Sequence, residues 1–147
     1  MPIDTNVFVV RLLLAAALSA LLGLEREYHR KPAGLRTNML IGIGSMLFTY
    51  VSMQFAGPHG STDRIAAQIV TGIGFLGAGA IMRTTRGTTS VHGLTTAATI
   101  WVNAAIGMAI GYGLMIEAAI TAGITLAILA VLGPLEDFFE RRAQRDE

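Results

Sequence analysis

No cysteine occurs among the 147 residues, which excludes a disulfide, a thiolate metal site and a cysteine nucleophile and leaves the redox compartment unread. Charge is missing from five long stretches, roughly Val7 to Leu24, Leu35 to Ala56, Ile65 to Met82, Leu94 to Tyr112 and Leu114 to Leu132. The chain carries eleven Lys and Arg and ten Asp and Glu, yet apart from Arg36 at the start of the second stretch only Arg11 and Glu117 fall inside one. Each stretch meets the length, about 17 to 25 residues, that a helix needs to cross a hydrocarbon core of about 30 Å. No residues remain to build the polar elements that would cover five such helices in water. The first stretch also lacks a basic leader and a small-residue cleavage site, and it ends in Glu25-Arg26-Glu27. It is therefore not a cleavable signal and should stay in the mature protein.

Constellations for catalysis are missing too. A nucleophile needs a base beside it, and a metal centre needs several ligands. His29, His59 and His92 each lack a second His or carboxylate at ligand spacing. Glu25 and Glu117 belong to opposite ends of their spans and cannot share a dehydrated Mg²⁺. The run Gly72-Ile73-Gly74-Phe75-Leu76-Gly77 matches a dinucleotide fingerprint in letters only, because no strand precedes it. These absences argue against an enzyme, a cofactor and a dedicated metal site.

The residues that are present describe a membrane protein. Hydrophobic residues make up 52% of the chain, the mean hydropathy is +0.56, and Gly is abundant at 17. Cations set the orientation. Arg26, Arg30, Lys31, Arg36, Arg83, Arg86, Arg141, Arg142 and Arg145 fall on one side if the spans alternate, and Arg64 alone falls on the other. Short loops rich in Lys and Arg stay in the cytoplasm. The expected architecture is an all-α, polytopic bundle of five transmembrane helices, N-terminus outside and C-terminus cytoplasmic. Its transmembrane domain covers residues 1–135, with a short charged tail over 136–147. The turn at Gly111-Tyr112-Gly113 is so tight that the last two helices must form an antiparallel hairpin.

Polar residues line single helical faces. Asn38, Ser45, Thr49 and Ser52 do so in the second span, Thr96, Thr99, Asn103 and Gly107 in the fourth, and Glu117, Thr121 and Thr125 in the fifth. In hydrocarbon such rows should point into the bundle, either as glue between helices or as the lining of a solute path. The third span has small residues on two faces, with Gly72 and Gly79 beside Gln68 and Gly74 beside Ala78. That pattern places it centrally, or marks a helix broken in mid-membrane. Gly74 and Gly79 should then tolerate no bulk. Two charge contacts are also expected. Arg11 and Glu117 sit at similar depth and either pair or snorkel separately. Glu25 and Arg26 diverge by about 100° on a helix, so Glu25 should reach Arg36, Arg83 or a helix N-terminus rather than its neighbour.

Three blocks carry a family resemblance: Gly23-Leu24-Glu25-Arg26-Glu27 with Ala33-Gly34-Leu35-Arg36-Thr37-Asn38; Arg64-Ile65-Ala66-Ala67-Gln68-Ile69-Val70 running into Gly72 to Arg83; and Gly93-Leu94-Thr95-Thr96-Ala97-Ala98-Thr99-Ile100-Trp101. In this order they resemble the membrane domain of the MgtC/SapB family over nearly the whole chain. The resemblance implies a multi-pass protein of the bacterial inner membrane, linked to growth in low magnesium and to survival inside hosts. It also implies an action on other membrane machines, such as an ATPase or the F-type ATP synthase, rather than catalysis. Many members continue into a soluble ACT-like domain, which this chain does not reach. Members that act on the ATP synthase carry Arg and Asn where this sequence has His92 and Thr95. The expected partners are the lipid bilayer, further copies of the chain and another membrane protein, with no nucleic acid. The alternative is a small oligomeric channel or carrier for Mg²⁺ or another cation.

Overall fold

The computed structural model describes residues 4–55, 63–84 and 90–143. Five helices follow one another: α1 Thr5–Tyr28, α2 Leu35–Phe55, α3 Asp63–Ala80, α4 Leu94–Tyr112 and α5 Met115–Ala143. Between α3 and α4 lies one small ribbon, β1 Met82–Thr84 antiparallel to β2 Ser90–His92, with Met82 opposite His92. Three-residue strands are too short to show an alternating pattern, so the sequence gives them no signal. The loop from 56 to 62, with His59, lies outside the described residues, as do Arg86, Arg145 and the side chains of Arg83, Arg141 and Arg142. The segment expected as a tail from 136 is helical through Ala143, continuing α5.

Helix ends follow from local chemistry. Asp4 caps α1, its carboxylate accepting the N–H groups of Asn6 at 3.0 Å and Val7 at 3.4 Å. α1 closes in a Schellman turn: Lys31 N–H bonds to Arg26 O and Arg30 N–H to Glu27 O, with Arg30 left-handed at φ 52°. The same device ends α4, where Leu114 N–H reaches Ala109 O and Gly113 takes φ 91°. That turn makes α4 and α5 a hairpin.

Helices α1 and α4 and the Met115–Gly133 part of α5 are each long and apolar enough to cross a membrane. α3 offers the shorter apolar run Arg64–Ala80. In α2 the polar row lowers the mean hydropathy, but that row is buried while Leu40, Leu47, Phe48 and Val51 stay exposed. Between Leu40 and Val51 the outward surface of α2 is therefore apolar.

The centre is a three-helix unit in which α2 packs most closely on α4 and α1. α5 lies against α1 and α4, and its Ala118, Ala122 and Leu129 join Leu22, Met46 and Ile110 in the main core. α3 rests mainly on α4 and touches α2 little. Large apolar side chains on the outside, such as Leu13, Phe75, Ile116 and Ile124, suit contact with lipid.

Candidate functional site

Small residues bring the three central helices together. A Cβ on Gly111 would lie 2.6 Å from Thr49 Cβ and 2.8 Å from Met46 O. One on Gly23 would lie 2.7 Å from Leu35 Cα, one on Gly107 would strike the carbonyl of Gly42, and one on Gly42 would strike Ser19. The backbones of α1, α2 and α4 can approach this closely only because those side chains are absent.

Close approach lets buried polar groups find each other. Asn103 on α4 donates its amide to the backbone carbonyl of Asn38 at 2.7 Å and to its side-chain oxygen at 3.2 Å. Ser19 on α1 donates to Asn103 Oδ1 at 2.9 Å. Asn38 in turn donates to Ala33 O at 2.5 Å and Gly34 O at 3.1 Å, fastening the start of α2. Ser19, Asn38 and Asn103 are all 0% exposed. Thr49 and Thr99 return their hydroxyls to the carbonyls four residues back, Ser45 and Thr95. Thr96 is buried and Thr95 exposed. The rows on α2 and α4 are therefore both buried, and Asn38, Asn103, Thr49 and Thr99 bond to protein groups. No carboxylate enters this network.

The α5 row turns the other way. Glu117 and Thr121 are exposed, and Thr121 and Thr125 bond back along their own helix to Glu117 O and Thr121 O. The buried face of α5 is instead its alanine face. Arg11 correspondingly makes no ion pair with Glu117. Its Nη1 donates to Gly111 O at 2.7 Å, in the last turn of α4, and its guanidinium lies 5.5 Å from the Tyr50 ring centroid. A cation at a helix C-terminus and over an aromatic face is favourably placed on both counts. Its Nε is buried and has no hydrogen-bond partner.

Glu25 and Arg26 pair with each other, against the expectation from their directions on the helix. Arg26 Nε donates to Glu25 Oε2 at 2.5 Å and Nη2 to Oε1 at 2.8 Å, with the side chains 5% and 10% exposed. Direction at the Cβ diverges, but the long arginine stem folds back far enough to present its fork. His29 Nδ1 lies 3.0 Å from the same carboxylate. Reaching a helix N-terminus falls to Glu27 instead, whose carboxylate accepts Leu35 N–H at 2.8 Å and so caps α2. Arg36 is exposed. Among the described residues no group of three or more His, Asp or Glu gathers as a metal site.

α3 is peripheral rather than central. Its contact with α4 runs through Ile73, which is buried, and Gly77, where a Cβ would sit 3.6 Å from Ala97 Cβ. Gly72, Gly74 and Gly79 face open space, and Gln68 is exposed. Between α2 and α3 lies an apolar cleft of about 1010 Å³ that Gln68, Gly72 and Gly79 help to line. The structure thus brings Asn38, Thr96 and Asn103 into the central unit and leaves Gln68 apart from them. Ser19 was not anticipated. Its signal is the spacing Ala15, Ser19, Gly23, small residues every four positions along the buried face of α1.

The profile of the MgtC family matches residues 12–138. The chain is 49% identical over 139 residues to YhiD of Escherichia coli K12, whose name proposes it as a magnesium transporter, covering 89% of this chain and 63% of that protein. It is 44% identical over 131 residues to protein MgtC of Brucella abortus, covering 89% of this chain and 53% of that protein. An uncharacterised protein of Haemophilus influenzae is 37% identical over 150 residues, covering 97% of this chain and 62% of its own length. The chain therefore spans between about half and two thirds of these relatives. No solved structure matches it.

Proposed function

This chain belongs to the MgtC family, and from that premise we propose that it serves magnesium and membrane-energy homeostasis by binding and modulating other membrane proteins. The observation that carries the proposal is the Ser19–Asn103–Asn38 network, buried and hydrogen-bonded between helices that glycine contacts hold shut. Polar residues spent on one another in this way hold helices together and leave no lined path for an ion. The proposed setting is the bacterial inner membrane, with the nine-cation side in the cytoplasm. There the paired Glu25 and Arg26 close the end of α1, and Arg36 is free to meet a partner.

A second reading, a small oligomeric channel or carrier for Mg²⁺ or another cation, draws on the name of the Escherichia coli relative and on exposed Gln68 at the open cleft. Proteoliposomes loaded with a magnesium-sensitive dye separate the two. Modulation predicts Mg²⁺ entry no faster than in protein-free vesicles. Entry that is abolished by Gln68→Leu would establish the channel instead.

A further inference from the structure

The cleft between α2 and α3 is large, apolar and open, with a volume of about 1010 Å³, the top of the range of about 300–1,000 Å³ typical of small-molecule sites. Gly44, Gly72 and Gly79 line it with bare backbone facing open space, and Phe48 and Phe75 at its walls are 62% and 80% exposed. A smooth, laterally open groove at membrane depth accepts flexible hydrocarbon. One end of the cleft reaches Pro32 and Ala33 in the α1–α2 connection and Thr37 at the start of α2, and Ser45 and Gln68 add polar groups farther along.

Cations outnumber carboxylates at that end. Lys31 precedes the lining residue Pro32, Arg36 precedes the lining residue Thr37, and both cations are exposed, as is Arg30. Among the described residues no acidic side chain lines the cleft. Of the two nearby carboxylates, Glu25 is paired with Arg26 and Glu27 accepts the N–H of Leu35 beside Arg36, which leaves three exposed cations against one unpaired carboxylate. We propose that the α2–α3 cleft is a binding site for an anionic diacyl phospholipid, with its acyl chains along Gly44, Gly72 and Gly79 and its phosphate at Lys31 and Arg36. Basic pockets between transmembrane helices recognise such headgroups, whereas an uncharged groove would take any lipid. The site shares Arg36 and the cleft with the readings above, but lipid retention is measured without magnesium or a partner protein.

The test is a native mass-spectrometric titration of the purified full chain in detergent with phosphatidic acid, phosphatidylglycerol or phosphatidylethanolamine. The two anionic lipids should be retained and phosphatidylethanolamine should be lost at lower collision energy. The double variant Lys31→Gln/Arg36→Gln should weaken anionic retention about tenfold or more, two surface cations having been removed. Gly72→Leu/Gly79→Leu, which fills the cleft, should reduce retention of every diacyl lipid while leaving the melting temperature unchanged. Glu117→Gln, exposed on α5 and outside the cleft lining, should alter neither. Equal retention of anionic and zwitterionic lipid, or an unchanged affinity in the Lys31/Arg36 variant, overturns the proposal. So does a lipid-free dimer that Gly72→Leu/Gly79→Leu dissociates, because a second copy then fills the cleft.

Discussion

Glycine does opposite things in two parts of this bundle. On α2 and α4, Gly42, Gly107 and Gly111 abut a neighbouring backbone or side chain so closely that a methyl group would collide. On α3, a Cβ on Gly72, Gly74 or Gly79 would meet no described atom within 4 Å. The same residue therefore seals one helix pair and leaves another ajar. Composition alone does not tell the two apart, since the denser glycine run lies in the looser helix. What distinguishes them is what stands four residues away on the same face. Around Gly107 that face holds Asn103 and Gly111, both buried, whereas around Gly72 it holds Gln68, which is exposed.

Substitution should separate the two regions most sharply where the contact is tightest. Gly107→Leu should destabilise the bundle by about 3 kcal/mol or more, because neither the Gly42 carbonyl nor Ser45 can move without parting α2 from α4. Gly74→Leu should stay within about 0.5 kcal/mol of the parent, as for surface positions. Unfolding of both in the same detergent checks the pair, and equal losses would place α3 in the core after all.

Next in size is the α1 end. Glu25→Gln leaves the nearly buried Arg26 without its counter-charge and should cost about 2–3 kcal/mol. Adding Arg26→Met should return part of that loss, a non-additivity that a double-mutant cycle measures. Removing Asn103 with Asn103→Leu should cost about 1–3 kcal/mol, because Ser19 and Asn38 lose their buried partner. Smallest is Arg11→Met, at about 1 kcal/mol from the lost contacts to Gly111 and Tyr50. Glu117→Gln should change nothing, and the exchange Arg11→Glu with Glu117→Arg should show no rescue.

The helices were legible because hydrocarbon enforces length and excludes charge, and their limits agree with the apolar stretches to within a few residues over most of the chain. The rows on α2 and α4 were legible for the same reason, since buried polar residues must share a face. The row on α5 misled because Thr121 and Thr125 can satisfy their hydroxyls within their own helix and so face outward. Arg11 at the α4 terminus was hidden because its acceptor is a backbone carbonyl, which no residue letter marks. The Glu25–Arg26 pair was hidden because helical direction fixes the Cβ and not the reach of a long side chain. Which glycines touch a neighbour depends on how α3 leans, and that is a property of packing rather than of the segment.

Because the chain has no cysteine of its own, one engineered thiol reports its surroundings without background. Ser19→Cys and Thr49→Cys, at positions 0% and 1% exposed, can be treated in native membranes with a small, charged thiol reagent beside Arg36→Cys as an exposed reference. A closed and internally bonded centre predicts full labelling at 36 and none at 19 or 49. Labelling at 19 or 49 that Mg²⁺ slows would contradict it, because water and ions would then be running through the network that is held here to bind helices together.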